Sequence, residues 1–171
     1  EEKRGLKELL EDLYDTLDRM AAVYKEILQA AEEKQGYIIS GDIEKLESVI
    51  FRERNLAESI VLMEEKRRYI MASITRQIGR GETALSLQKL GEHIQDPFRS
   101  KLEMKRERIL EVAQKVQEVN NVNTSLTRYS LEYVNSLIKS LCSEPLDNTI
   151  YQQTGKVREG DLKRIVFETS A

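Results

Sequence analysis

Histidine and cysteine, which often serve as zinc ligands, bases or nucleophiles, are scarce in this 171-residue sequence, whereas its 30 Asp and Glu residues are scattered along the predicted helices. His93 is the only histidine and Cys142 the only cysteine, and neither has the neighbouring ligands or activating base that a zinc site or a nucleophile needs. The segment from Gly79 to Gly81 lacks the spacing and the Lys-Ser/Thr pair of a phosphate-binding loop. We therefore expect no catalytic residue, no metal site and no cofactor.

The composition narrows the classes of partner. Charged residues make up 33% of the chain, with Lys and Arg mixed among Asp and Glu to a net charge of −3, so no basic field is available for a phosphate backbone. The sequence contains no run of about 18 apolar residues, which is the length that predicts a membrane span. No apolar signal region follows residues 1–4. A single cysteine fits a reducing compartment. We expect a cytoplasmic protein that neither binds nucleic acid nor inserts into a membrane.

The first 40 residues carry apolar side chains in an alternating four-three spacing. This spacing indicates a helix that packs lengthwise against other helices. The seam comprises Leu6, Leu10, Leu13, Leu17, Met20, Tyr24, Ile27 and Ala31. After it, Ser40, Gly41 and Asp42 supply a helix stop and an N-cap, which predicts a tight reversal into a second helix.

The second helix has a less regular seam. Its apolar members are Ile43, Leu46, Ile50, Ala57, Ile60, Met71, Ile74 and Ile78. Three charged residues, Glu53, Glu64 and Arg67, fall on the same seam. Because charges at such positions oppose burial, we expect them to weaken the seam or to mark places where the helices splay.

A short crossover leads to a third long helix. Gly79 and Gly81 end the second helix, and Asp96 followed by Pro97 is a strong helix start. About 45 uninterrupted residues from there span roughly 65 Å, which matches the length of the preceding hairpin. The sequence predicts an all-α, elongated, coiled-coil-like antiparallel three-helix bundle with a short crossover helix and a C-terminal tail. The expected helices are about 3–39, 42–78, 83–95 and 97–141, in a bundle domain 1–142 followed by a tail 143–171.

The C-terminal half of the third long helix is unusually apolar. At about 100° per residue, its apolar side chains cover an arc of roughly 220°, whereas burial of one helix face needs little more than 100°. The arc comprises Leu126, Tyr129, Leu131, Tyr133, Val134, Leu137, Ile138, Leu141 and Cys142. Either the crossover or the tail covers the excess, or part of the arc faces a partner.

Two asparagines precede this arc on the same helix face. Asn120 and Asn123 lie three residues apart, at helix positions where asparagine is unfavourable. One interpretation is a polar layer that fixes the register of the bundle. The other is hydrogen bonding to a bound partner.

Two segments resemble motifs of a known family. The run NNVNTSL at 120–126 resembles the N-x-x-N-x-x-L segment of the FlgN-type flagellar export chaperones, and TIYQQTG at 149–155 resembles that family's T-x-Y-x-x-x-G segment. The turn at Ser40 to Asp42 is similar to the family's first hairpin turn. After the tyrosine, this chain has Gln152 and Gln153 where the family segment is rich in glycine.

The resemblance implies a cytoplasmic chaperone of the bacterial flagellar type III export system. Such proteins bind the C-terminal segments of hook-filament junction proteins and deliver them to the export gate at the membrane. The client would lie along the third long helix, at residues Asn120, Asn123, Leu126, Leu131, Val134, Ile138 and Leu141. Tyr151, in the family-like part of the tail, would bind the export gate.

A rival interpretation needs no client. The same apolar excess suits a structural or oligomerisation coiled coil, in which the arc forms a homodimer interface. A monomer or weak dimer that takes up one client favours the chaperone, whereas a stable dimer without a client favours the rival.

Overall fold

The computed structural model describes residues 5–78 and 85–142. This part of the chain forms four α-helices and contains no strand: α1 (Leu6–Ser40), α2 (Ile43–Ile78), α3 (Leu87–His93) and α4 (Phe98–Cys142). The chain divides into two units between Ser130 and Leu131, and each is described by itself. The predicted tail, 143–171, lies outside the described residues.

The seam predicted for α1 forms much of the core. The main apolar cluster joins the start of α1, the end of α2, the crossover and the start of α4. It contains Leu9, Leu10, Leu13, Tyr14, Leu17, Met20, Ile70, Met71, Ile74, Leu85, Leu90, Ile94 and Leu102. Further along α1 the buried side chains are small, at Ala30 and Ala31. Large hydrophobic burial is therefore concentrated at one end of the bundle, where it contributes most to stability.

The predicted reversal between α1 and α2 is confirmed. Gly41 adopts the left-handed conformation, with φ 69°, which glycine accepts without the steric cost of a Cβ. The Asp42 carboxylate accepts a hydrogen bond from the main-chain N–H of Lys45 at 3.1 Å and so caps α2. The hydrogen-bonded ion pair with the Lys45 ammonium, together with this main-chain bond, lowers the pKa of the Asp42 carboxyl below its usual value.

The reversal makes α1 and α2 antiparallel neighbours. Near the turn, Arg52 pairs with Glu33 and Glu53 pairs with Lys34. Away from the turn, the last turns of α2 join the first turns of α1 in the core. The other seam charges on α2 pair within the helix, because Glu64 accepts two hydrogen bonds from the Arg67 guanidinium at 2.6 and 2.7 Å.

The crossover packs into the core. Ser86 caps α3 by accepting a hydrogen bond from the N–H of Lys89 at 3.2 Å, and Leu85, Leu90 and Ile94 are buried. The helix ends at His93, after which Ile94 is extended. The crossover therefore closes the end of the bundle that holds the large core side chains.

The fourth helix starts at this same end and runs parallel to α1. The Asp96 carboxylate accepts hydrogen bonds from the N–H and hydroxyl of Ser100, as expected of a residue that starts a helix. The buried Tyr14 hydroxyl donates to the carbonyl oxygen of Phe98 at 2.8 Å, and burial raises the pKa of Tyr14 to about 12. Lys101 pairs with Glu11 at 2.8 Å. The predicted all-α helical bundle, up, down and up with a short crossover, is confirmed.

Candidate functional site

The end of α4 carries a dense group of exposed apolar side chains. Every residue from Leu131 to Cys142 is exposed, and Leu141 reaches 85%. We call the large apolar side chains of this segment the terminal surface: Leu131, Tyr133, Val134, Leu137, Ile138 and Leu141. Contiguous exposed apolar side chains of this kind are typical of a surface that binds another macromolecule.

The polar residues of this segment leave the terminal surface largely uncharged. Only Glu132 and Lys139 carry charge between residues 131 and 142. The hydroxyls of Ser136 and Ser140 donate to the carbonyl oxygens four residues earlier, at 2.8 and 2.9 Å, and so make their hydrogen bonds within the helix. Covering such a surface displaces water mainly from apolar groups, which favours binding.

Most of the terminal surface occupies one face of the end of α4. At 100° per residue, Leu131, Val134, Leu137, Ile138 and Leu141 fall within a sector of about 120°. An exposed apolar face of this width is suited to packing against an apolar neighbour. Four of the predicted site residues share this surface: Leu131, Val134, Ile138 and Leu141.

The two predicted asparagines lie in a polar layer among three helices. Lys34 on α1 donates to both carboxylate oxygens of Glu53 on α2, at 2.7 and 2.9 Å, and to Asn120 Oδ1 on α4 at 3.3 Å. Asn123 is only 3% exposed, and its Nδ2 donates to the carbonyl oxygen of Ala31 at 2.8 Å. We call Lys34, Glu53, Asn120 and Asn123 the polar layer.

The polar layer fixes the alignment of the three long helices. The Lys34 and Glu53 side chains are each 17% exposed, so their pairing offsets much of the cost of removing two charges from water. Asn123 Oδ1 has no hydrogen-bond partner within the described residues, which is a cost that apolar residues would not carry. Such a layer is typical of a register device, one of the two interpretations that the sequence left open.

Sequence reasoning missed Lys34 and Glu53 as partners of the asparagines. The four-three spacing of α1 continues from Ala31 to the next seam position, which is Lys34. Glu53 also occupies a seam position, where it was interpreted only as a weakening charge. Opposite charges at seam positions of two antiparallel helices were the signal for this contact.

The other candidate residues are placed as follows. Leu126 is half-buried, and His93 is half-buried in α3. Cys142 is exposed at the end of α4. Tyr151 lies outside the described residues. Within residues 5–78 and 85–142, no three His, Cys, Asp or Glu side chains converge as metal ligands, and none of the described helices has the length and apolarity needed to cross a bilayer.

Comparison with protein families matches residues 9–159 to the model described as FlgN protein. The chain belongs to the FlgN family. The match covers the bundle, the polar layer and the terminal surface, as well as both motifs that carry the resemblance. Searches of characterised proteins and of solved structures return no match. FlgN proteins are flagellar export chaperones, so the predicted family and its general function are confirmed.

Proposed function

We propose that this FlgN-family protein is a cytoplasmic chaperone of the flagellar type III export system that binds the C-terminal segments of hook-filament junction proteins. The observation that supports it most directly is the terminal surface. Six large apolar side chains are exposed on one short stretch of α4, and a cluster of this kind is typical of a surface that binds a partner.

The client suited to this surface is an amphipathic segment that has no fixed structure alone. Such a segment lays apolar anchors along a helix face and becomes ordered as it binds. Burial of three or four anchors contributes about 1.5 to 3 kcal/mol each, and ordering the segment costs a comparable amount. The resulting affinity is moderate and reversible, as a chaperone that must release its client requires.

The proposed site has an inner end at Asn120, Asn123 and Leu126. Leu126 is half-buried and offers the client an apolar edge. For the asparagines to bind a client, Asn120 must exchange its hydrogen bond from Lys34 and Asn123 its bond to Ala31. The unpaired Oδ1 of Asn123 is a further acceptor, but it is buried, so a client N–H group reaches it only if the helices move apart.

Delivery to the export gate is assigned to the tail. Tyr151 belongs to the family-like segment 149–155, and tyrosine is a common anchor in transient interfaces because its amphipathic ring loses little conformational entropy. In this proposal, the terminal surface holds the client and Tyr151 contacts the gate at the membrane. Client binding and gate binding therefore depend on different parts of the chain.

The experiment that tests the function is a measurement of complex mass. The full chain is mixed with a purified hook-filament junction protein, and light scattering after size exclusion gives the stoichiometry. One client per chain supports the proposal. A mixture that elutes as two separate proteins, or a client that binds equally well after deletion of its C-terminal segment, contradicts it.

A further inference from the structure

A second apolar strip lies on the outer side of α2. Six large side chains are exposed there, including Phe51 and Leu62 at 67% each. We call them the α2 strip: Ile43, Ile50, Phe51, Val61, Leu62 and Tyr69. At 100° per residue they occupy a sector of about 120°, on the side of the helix opposite the buried Val49 and Ile74. They form two apolar rows on either side of a charged row, which consists of Glu47, Arg54, Glu58 and Glu65. The prediction that Ile43 and Ile50 lie on the packed seam of α2 is therefore wrong, because both are exposed.

The α2 strip is nearly symmetric about residue 56. Ile50 and Phe51 lie six and five residues before this position, and Val61 and Leu62 lie five and six residues after it. Ile43 and Tyr69 are each 13 residues away. A strip that is unchanged by reversal of the helix is complementary to a second, antiparallel copy of itself, which is the requirement for an interface with twofold symmetry.

The charges of the strip follow the same symmetry. Arg54 and Glu58 each lie two residues from position 56, and Glu44 and Arg68 each lie 12 residues from it. Reversal therefore places Arg54 of one copy opposite Glu58 of the other. Arg54 and Glu58 already form an ion pair at 3.5 Å within α2, so both side chains are exposed on this helix and within reach of a facing copy.

From this arrangement we propose that the α2 strip is a homodimer interface, in which two copies pack α2 against α2 in antiparallel orientation about residue 56. The Ile50 and Phe51 pair of one copy contacts the Val61 and Leu62 pair of the other. The full strip runs about 39 Å at 1.5 Å per residue. The terminal surface takes no part in this contact and is left for another partner.

Two symmetry-related pairs of like charges oppose the contact. Glu47 and Glu65 each lie nine residues from position 56, so the antiparallel arrangement places them opposite each other, where like charges repel. The dimer is therefore weak. These pairs also provide a test of orientation. In the antiparallel arrangement Glu47→Lys places a lysine opposite Glu65 and removes the repulsion, whereas in a parallel arrangement residue 47 faces residue 47 and the two lysines repel each other.

The test is sedimentation velocity of the full chain over a range of concentrations. We expect a concentration-dependent dimer whose dissociation constant rises about tenfold or more for Phe51→Glu, since each dimer loses two central anchors. Glu47→Lys is expected to lower it about fivefold, because two repulsive pairs become attractive. Met104→Glu, an equally exposed change on α4, is the matched control and leaves it unchanged.

Cross-linking tests the position of the symmetry axis. In a Cys142→Ser background, Ala57→Cys places the two thiols at the level of the axis, at the edge of the strip, and is expected to be linked by a short bifunctional thiol reagent that spans about 10 Å. Ile43→Cys places its thiols about 39 Å apart and is expected to remain uncross-linked. A chain that stays monomeric at every concentration overturns the proposal. So does a dimer that is insensitive to Phe51→Glu, or one that Ile43→Cys links as readily as Ala57→Cys.

Discussion

Asn123 on α4 donates a hydrogen bond of 2.8 Å to the main-chain carbonyl oxygen of Ala31 on α1. The Ala31 side chain is fully buried, as is nearly all of Asn123, so the bond joins the two parallel helices inside the bundle. Three residues further along α1, Lys34 contacts both Glu53 and Asn120. One buried polar layer thus links α1, α2 and α4 at a single level.

The first prediction separates the stability of this layer from recognition. Replacement of both Asn120 and Asn123 by Leu is expected to hold or raise the melting temperature, because an apolar layer removes the unpaired Oδ1 and packs well. The Ala31 carbonyl oxygen loses its bond from Asn123 but keeps the hydrogen bond that it accepts within α1. Circular dichroism gives the melting temperature, and titration with a client segment gives the affinity, which we expect to fall. Unchanged affinity would assign the asparagines to helix register alone.

The second prediction concerns the ion pair between Lys34 and Glu53. Glu53→Leu leaves the largely buried Lys34 ammonium without its charged partner and is expected to lower the free energy of unfolding by about 1 to 3 kcal/mol. The double variant Lys34→Met with Glu53→Leu is expected to lose less, because no charge is left buried. Urea unfolding of wild type, both single variants and the double variant measures the coupling. If the double variant loses as much free energy of unfolding as the two single variants lose together, Lys34 and Glu53 are not coupled and the prediction is wrong.

The long helices and their turns are predictable from sequence because the signals are local. The four-three spacing of α1, Gly41 with Asp42, and Asp96 before α4 each act within a few residues. The polar layer was not predictable to the same degree, because the contact of Lys34 with Asn120 depends on how two helices far apart in sequence are aligned. Similarly, the apolar excess on α4 was visible in the sequence, but the exposure of residues 131–142 depends on tertiary packing, which local signals do not specify.

The third prediction follows from the N-cap of α2. Because the folded state lowers the pKa of Asp42, its contribution to stability is present above the ordinary carboxyl pKa and is lost as the pH falls through the lowered value. Asp42→Ala is therefore expected to lower the melting temperature at pH 7, with the difference from wild type shrinking in acid. Asp42→Asn, which retains a capping oxygen, is the control and should not show this pH dependence.

The fourth prediction tests the division of labour between helix and tail. Tyr151→Ala is expected to retain client binding but to lose binding to the export gate and to slow client export, because the proposed gate contact loses its aromatic anchor. Pull-downs with client and with gate proteins, together with an export assay, measure the three effects. If Tyr151→Ala weakens client binding as much as changes in the terminal surface do, the tail belongs to the client site.

A further prediction concerns the stability of variants in the terminal surface and does not depend on the proposed α2 homodimer. The double variant Leu131→Glu with Ile138→Glu alters two exposed residues, so helical content and melting temperature are expected to stay close to those of wild type. Loss of folding in this variant would show that the two residues stabilise the protein rather than bind a partner. Met104→Glu with Leu110→Glu, on an exposed part of α4 before Ser130, is the matched control.

The most direct measurement of the central claim is isothermal titration of the C-terminal segment of a hook-filament junction protein into three proteins: wild type, the variant with Leu131→Glu and Ile138→Glu, and the control variant with Met104→Glu and Leu110→Glu. Wild type and the control pair are expected to bind one segment per chain with equal affinity. The variant with Leu131→Glu and Ile138→Glu is expected to bind about a hundredfold more weakly, since two apolar anchors are lost. Equal affinity for all three folded proteins would contradict client binding by the terminal surface.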